Sequence, residues 1–320
     1  MKKYDVCALG ELLIDFTENG ISEQGNPIME ANPGGAPCNV LAMLNKLGKS
    51  TAFIGKVGHD IFGRQLREVV GKTGIDLSGL VIDKDVNTTL AFVHTLDGGD
   101  REFSFYRNPG ADMMLGVDDV DFALVESCKI FHFGSLSMTN DICKEATVTA
   151  VGAAKAAGAI ISFDPNLREP LWDSLDHAMD EIVYGIEQCD ILKISDNEIL
   201  WLTGKDDIDS AIAAMQERFS PQLMLVSLGK YGSIAISGDC RVQRPTYSGV
   251  KTIETTGAGD TFGACVLNYV LEHGLRSYSE RELAEMLDFA NAAASIVTTR
   301  KGALRVMPEK SEILDLMNRA

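Results

Sequence analysis

The seven cysteines, Cys7, Cys38, Cys128, Cys143, Cys189, Cys240 and Cys265, include no Cys-x-x-Cys pair, and their number is odd. That argues against a disulfide framework and against a zinc ribbon, and points to a reducing cytoplasm. No His-Glu-x-x-His occurs among the five scattered histidines. Positive charge is scarce: 29 Lys and Arg stand against 46 Asp and Glu, a net −17. Such a balance disfavours nucleic acid and anionic membranes as partners. It leaves room for an anionic substrate in a locally positive pocket, above all one carrying Mg²⁺. The apolar run after Lys2-Lys3 is broken by Asp5 and Glu11, so no signal peptide is expected, and no stretch reaches membrane-spanning length. Both common nucleotide cradles are missing. Gly48-Lys49-Ser50 has Met43 where a P-loop needs glycine, and Gly257-x-Gly259 runs on to Phe262 where a Rossmann fingerprint needs a third.

What is present is a regular alternation. Short, almost continuous apolar runs at Tyr4–Gly10, Thr51–Val57, Lys129–Gly134, Ala159–Asp164, Ile191–Ser195 and Leu223–Leu228 read as buried parallel strands. Helical patterns fall at Ala36–Leu47, Ile61–Thr73, Asn140–Ala157, Asn197–Thr203, Ile208–Phe219, Asp260–Glu272 and Arg281–Thr298. The expectation is an α/β fold with a mostly parallel sheet covered on both faces. Two segments break the rhythm. Leu12–Asn32 reads as irregular, and Thr88–Asp97 with Asp100–Tyr106 reads as a hairpin around Gly98-Gly99. Together they suggest a small β lid (11–32 and 87–108) over a core made of 1–10, 33–86 and 109–320. An ordinary surface hairpin is the competing explanation.

Thr255-Thr256-Gly257-Ala258-Gly259-Asp260-Thr261-Phe262-Gly263 is the most informative stretch. Its small residues open a helix, whose first N–H groups and partial positive charge suit phosphate. Asp260 beside them fits a general base that deprotonates an attacking hydroxyl; a helix start carrying an Asp would look the same. Pro33-Gly34-Gly35-Ala36-Pro37-Cys38-Asn39 opens a second helix. Gly34 and Gly35 permit close approach of a ligand, and Asp15 and Asn39 offer polar groups for sugar hydroxyls, although both also suit turns and caps. Past later strands stand Asp164, Asn166 and Arg168, whose fork suits phosphate oxygens. Glu198 is placed to hold a hydrated Mg²⁺ or simply to start a helix. The loop Ser227-Leu228-Gly229-Lys230-Tyr231-Gly232 can lie along a nucleotide. All these groups follow strand C-terminal ends, where open α/β sheets bind ligands.

With these motifs in view, the chain resembles the ribokinase (PfkB) family of carbohydrate kinases, and within it the fructokinases. Gly34 to Asn39, followed by Gly48, Gly55, Gly58 and Gly63, carries one family signature, and Thr255 to Gly263 the other. Phe105 to Met113, Asp164 to Arg168, Pro170-Leu171-Trp172 and Thr299 to Ala303 point to the fructokinases. The resemblance implies ATP, Mg²⁺ and a primary sugar hydroxyl, first of all O6 of fructose. 2-Keto-3-deoxygluconate, ribose or a nucleoside are alternative acceptors, and a non-catalytic sugar sensor is a distant one. It implies Asp260 as base and Gly257, Ala258 and Gly259 as anion hole. Asp15, Gly34, Gly35, Asn39, Asn166, Tyr106 and Arg107 would hold the sugar, and Arg168 would touch both substrates. Lys193, Glu198, Ser227, Gly229, Gly232 and Asn291 would serve the nucleotide. Glu254, Thr256 and Ala303 would border K⁺, with Glu254 standing where the family usually has Asp. Ser195 replaces the usual Asn three residues before Glu198. A homodimer through the lid is also implied.

Overall fold

The apolar runs do pair as strands. In a computed structural model, residues 2–95, 101–247 and 249–319 are described. The strands are β1 (Tyr4–Leu9), β2 (Leu13–Ile21), β3 (Pro27–Gly34), β4 (Thr51–Gly58), β5 (Asp76–Asp83), β6 (Leu90–Thr95), β7 (Arg101–Tyr106), β8 (Cys128–Gly134), β9 (Ile160–Asp164), β10 (Ile191–Ser195), β11 (Leu223–Ser227), β12 (Ser233–Ser237) and β13 (Cys240–Arg244). Nine form one sheet in the order β13-β12-β11-β10-β9-β8-β1-β4-β5. Seven of these run parallel, and β12 and β13 close one edge antiparallel.

Burial on both faces explains the unbroken apolar runs. In β1, Val6 and Ala8 join one core and Cys7 and Leu9 the other. The first core is closed by helices Ala36–Lys46, Ala258–His273 and Glu280–Val297, and the second by Asp141–Ala156, Leu175–Gln188 and Ile208–Arg218. Helix starts follow capping chemistry. Asn140 accepts from the amides of Ile142 and Cys143, and Ser195 and Ser279 form reciprocal capping boxes with Glu198 and Glu282. All seven cysteines are free thiols. No helix among the described residues is long and apolar enough to cross a membrane.

The second sheet is β3-β2-β6-β7. The 11–32 segment is therefore not irregular but a two-stranded ribbon. Its pattern was hidden because Glu18 to Ile21 project into solvent, where neither face must be apolar. The hairpin strands form β6 and β7, and the Gly98-Gly99 turn lies outside the described residues. Three other strands escaped the sequence pattern. Edge strand β5 mixes polar residues into its run, and β12–β13 is a short hairpin whose outer strand alternates with exposed Arg241 and Gln243.

Candidate active site

The C-terminal ends of β1, β9 and β10 face the starts of helices Ala36–Lys46 and Ala258–His273 across a cleft of about 420 Å³. Asp15, Gly35, Asn39, Asn166, Arg168, Lys193, Gly257, Gly259 and Asp260, distant in sequence, all line it. The small sheet forms its roof. Strand alternation turns Leu13, Asp15 and Thr17 of β2, Val93 of β6 and Phe105 of β7 toward the cleft. Gly34 is required by Asp15, because a Cβ there would overlap Asp15 Oδ2.

At the heart of the cleft Asn39 Nδ2 donates to Asp260 Oδ2 at 2.8 Å. A carboxylate accepts, so the amide's orientation is fixed. Asn39 Oδ1 is left buried with no hydrogen-bond partner. A buried orphan acceptor is costly, and a ligand hydroxyl would satisfy it. Loss of hydration raises the pKa of Asp260, while Asn39, Lys193 and Arg168 oppose the rise. Asp260 lies in the first turn of its helix. Gly257 precedes that helix with φ 77°, which a side chain tolerates poorly, and a Cβ there would stand 2.5 Å from Ala303 Cβ. Thr261 N donates to Gly257 O at 2.8 Å, and Ala258 N to Thr255 O at 3.2 Å. The amides of Gly259 and Asp260 stand between these bonds, where a helix supplies no intrahelical acceptor. Ala258 thus departs from expectation: its N–H closes a turn instead of entering the cradle.

Asn166 has φ 47° and is the single non-glycine residue with positive φ among the described residues. This turn carries the chain from β9 to Arg168, and Leu167 N is clamped by Glu198 Oε1 at 2.7 Å. The other Glu198 oxygen accepts from Ser195 N at 2.8 Å and Ser195 Oγ at 2.7 Å. Glu198 is therefore a capping group first. Among the described residues no three His, Cys, Asp or Glu side chains gather to hold a metal. With both Glu198 oxygens engaged by protein donors, a Mg²⁺ ion brought by donor phosphates would meet this carboxylate through water, and it would supply charge neutralisation there.

Ser195, Ser227 and Ser233 lie in register across the ends of β10, β11 and β12. This row leads from the cleft to Asn291, whose Oδ1 accepts from Ser233 Oγ at 2.9 Å. Asn291 Nδ2 donates to the carbonyls of Arg244 and Pro245. Its amide is thus committed to the protein, so it braces this corner. Gly229 and Gly232 bound the short turn between β11 and β12. Near the cradle, Glu254 accepts from Thr256 Oγ1 at 2.6 Å and from Gly302 N at 2.9 Å. The longer carboxylate thereby ties the 301–303 loop to the segment that leads into the helix Ala258–His273.

Two expected sugar ligands are placed elsewhere. Tyr106 follows Phe105 in β7 and so points to the opposite face, 67% exposed, with its ring edge-on to Phe92 at 5.2 Å. Phe92 in turn stacks on Phe16 at 4.8 Å. Arg107 is buried: its Nε donates to Asp112 Oδ2 at 2.7 Å, Nη1 to Thr139 Oγ1 and Nη2 to Leu136 O. It supports the cleft wall from behind. One-residue alternation makes Phe105, not Tyr106, the cleft residue.

Glu11 is a further cleft residue, one that no sequence motif marks. It is 5% exposed, lines the cleft, and accepts from Ala36 N at 2.8 Å, holding the start of the helix that carries Asn39. Burial pushes its carboxyl from 4.5 up to about 7. Between these values the folded chain keeps a proton that the unfolded chain has lost. The resulting stabilisation is complete below the unfolded value and is lost as pH rises through about 7. Its ceiling is on the order of 3 kcal/mol. Thermal melts should therefore decline from pH 5 to pH 8, and Glu11→Gln should flatten that decline; an equally steep decline in the variant would refute it.

Comparison with known proteins agrees with this architecture. The model of the pfkB family of carbohydrate kinases matches residues 3–310. The chain is 40% identical over 317 residues to fructokinase-1 of Zea mays, covering 98% of each. It is 41% identical over 314 residues to a protein of Arabidopsis thaliana described as a probable fructokinase-2, covering 98% of this chain and 95% of the relative. The ATP-bound fructokinase of Xylella fastidiosa superposes with a TM-score of 0.89 at 30% identity, covering 100% of this chain and 99% of that one. The fructokinase of Vibrio cholerae O395 with fructose, ADP and calcium superposes at 0.87 and 27% identity, covering 99% of this chain and 100% of that one. A ribokinase-like α/β fold with an acid beside a helix-start cradle is the architecture of a sugar phosphotransferase. The chain belongs to the pfkB family of carbohydrate kinases.

Proposed function

We propose that this protein transfers the γ-phosphoryl group of ATP to O6 of fructose. The observation that carries the reading is the meeting of Asp260 with Asn39 and the amide cradle in one roofed cleft. Asp260 takes the O6 proton. The oxygen attacks the γ-phosphorus, the bond to the β–γ bridging oxygen breaks, and ADP leaves with that electron pair. The amides of Gly259 and Asp260 face the transferring group, with Lys193 beneath them and Arg168 beside both substrates. Mg²⁺ supplies charge neutralisation on the donor phosphates when bound. Asp15, Gly34, Gly35, Asn39 and Asn166 hold the sugar, with the orphan Asn39 Oδ1 accepting one hydroxyl. The Ser227–Gly232 turn and the corner braced by Asn291 border the nucleotide. A K⁺ ion beside Glu254, Thr256 and Ala303 would steady the cradle.

ATP turnover across a panel of sugars, each with and without K⁺, tests this. Fructose should lead by kcat/KM, and preference for ribose, a nucleoside or 2-keto-3-deoxygluconate would overturn the acceptor assignment. Residues 11–32 and 87–108 act as the lid, excluding water as a competing acceptor. Phe105→Ala should raise the KM for fructose several-fold, whereas Tyr106→Ala should leave it within about two-fold; the reverse order would restore Tyr106 as the sugar contact. The outer aromatic row Phe16–Phe92–Tyr106, flanked by exposed Ile21 and Ile28, is the face through which two copies would pair. Sedimentation of a strictly monomeric species would exclude that pairing. Free thiols suit a cytoplasmic setting.

A further inference from the structure

Directly under the amide cradle Lys193 sits in an ion pair whose carboxylate partner, Asp164, no step above uses. Register aligns β9 and β10 in parallel, with Ser162 opposite Ile191 and Phe163 opposite Leu192, so Asp164 and Lys193 are next across the ladder. Lys193 Nζ meets Asp164 Oδ2 at 2.9 Å and Oδ1 at 3.1 Å. Both side chains are nearly buried, at 12% and 7% exposure. The ammonium also reaches the cradle. A Cβ placed on Gly259 would stand 3.0 Å from Nζ, so the missing side chain at 259 leaves the space that the lysine occupies.

We propose that Asp164 is a positioning residue for phosphoryl transfer, holding Lys193 as a charged ammonium beneath the cradle of Gly257–Asp260. This rests on the kinase reading above. A lysine so deeply placed loses its proton readily unless a carboxylate faces it. Three do: Asp164 from β9, Glu198 from the following helix and Asp260 from the helix above. Arg168 and Glu11 line the same cleft, and His132 of β8 is a further titratable neighbour. It is buried, its Nδ1 lies 3.0 Å from Ser162 Oγ, and burial with nearby Lys193 lowers its pKa to about 4, so it stays neutral. Glu198 is committed to the amides of Leu167 and Ser195. One oxygen of Asp260 is held by Asn39, and its basicity is needed for the hydroxyl proton. Asp164 is the carboxylate in bidentate contact, and it keeps the lysine charged without engaging the base.

Asp164→Asn, Lys193→Met and the double variant, assayed with Mg²⁺, ATP and fructose, test this. Asp164→Asn should lower kcat by about 10- to 100-fold while the KM for fructose stays within three-fold. With its anionic partner gone, Lys193 deprotonates at lower pH. The alkaline limb of the kcat profile should then move down by a pH unit or more, which a merely structural role would not do. The double variant should be no slower than Lys193→Met alone, because Asp164 acts through the lysine. Three results would each overturn the proposal: Asp164→Asn retaining wild-type kcat, an unmoved alkaline limb, or losses that multiply in the double variant. If Asp164→Asn fails to fold by circular dichroism, Lys193→Met and the double variant, which strand no buried cation, decide by the same comparison. A wild-type protein that phosphorylates no sugar would remove the kinase reading itself, before any variant is made.

Discussion

Asp260→Asn will abolish almost all turnover, with kcat falling on the order of 10²- to 10⁴-fold. The amide keeps the shape of the carboxylate but cannot take the hydroxyl proton. Asn39 donates its Nδ2 to Asp260 Oδ2, and the variant's own amide can turn its oxygen to that donor, so the helix start should remain in place. Fructose binding, measured by calorimetry, should therefore stay within a few-fold. The pH profile follows from the same site. Burial raises the pKa of Asp260, and only the ionised form is a base. Wild-type kcat should fall as pH drops through a value above that of an ordinary Asp, and the residual rate of the variant should lack this limb. A variant that keeps most of its kcat would remove Asp260 from the role.

Gly257→Ala should be nearly as damaging. A Cβ there meets Ala303 Cβ at 2.5 Å, and φ 77° is strained for alanine. The 301–303 loop, pinned by the bond from Gly302 N to Glu254, cannot retreat freely, so the helix start must shift. Displaced cradle amides no longer face the charge developing on the phosphoryl group. Loss of one such donor costs about 10²- to 10³-fold in kcat, and a comparable fall is expected with sugar binding largely kept. If Gly257→Ala turns over at the wild-type rate, the cradle cannot be the anion hole.

Legibility varied with burial. The strands of the large sheet from β1 to β11 that lie inside it were readable because both faces must be apolar, and their ends were placed within a residue or two. The ribbon β2–β3 of the small sheet was not readable, because exposed polar residues such as Glu18 and Asn19 leave no alternation. At the site, Asp260, Asn39, Asp15 and Arg168 stood out because glycines or strand ends framed them. Glu11 did not, since one carboxylate in an apolar run carries no signal until Ala36 is seen to donate to it. A motif alone directs Tyr106 and Arg107 to the sugar. Their true directions depend on which face of β7 looks inward, and a one-residue step reverses that.

Sequence alone determined the alternating α/β order, the two glycine-led helix starts and the membership of a carbohydrate-kinase family, because periodicity and short motifs are local properties of the chain. Tertiary structure alone decided that Asn39 bonds Asp260 across 221 positions, that Phe105 rather than Tyr106 faces the cleft, and that Asp164 and Lys193 pair beneath the cradle. Those facts depend on strand register and on which helix start packs over which strand end, and the balance of long-range packing fixes both.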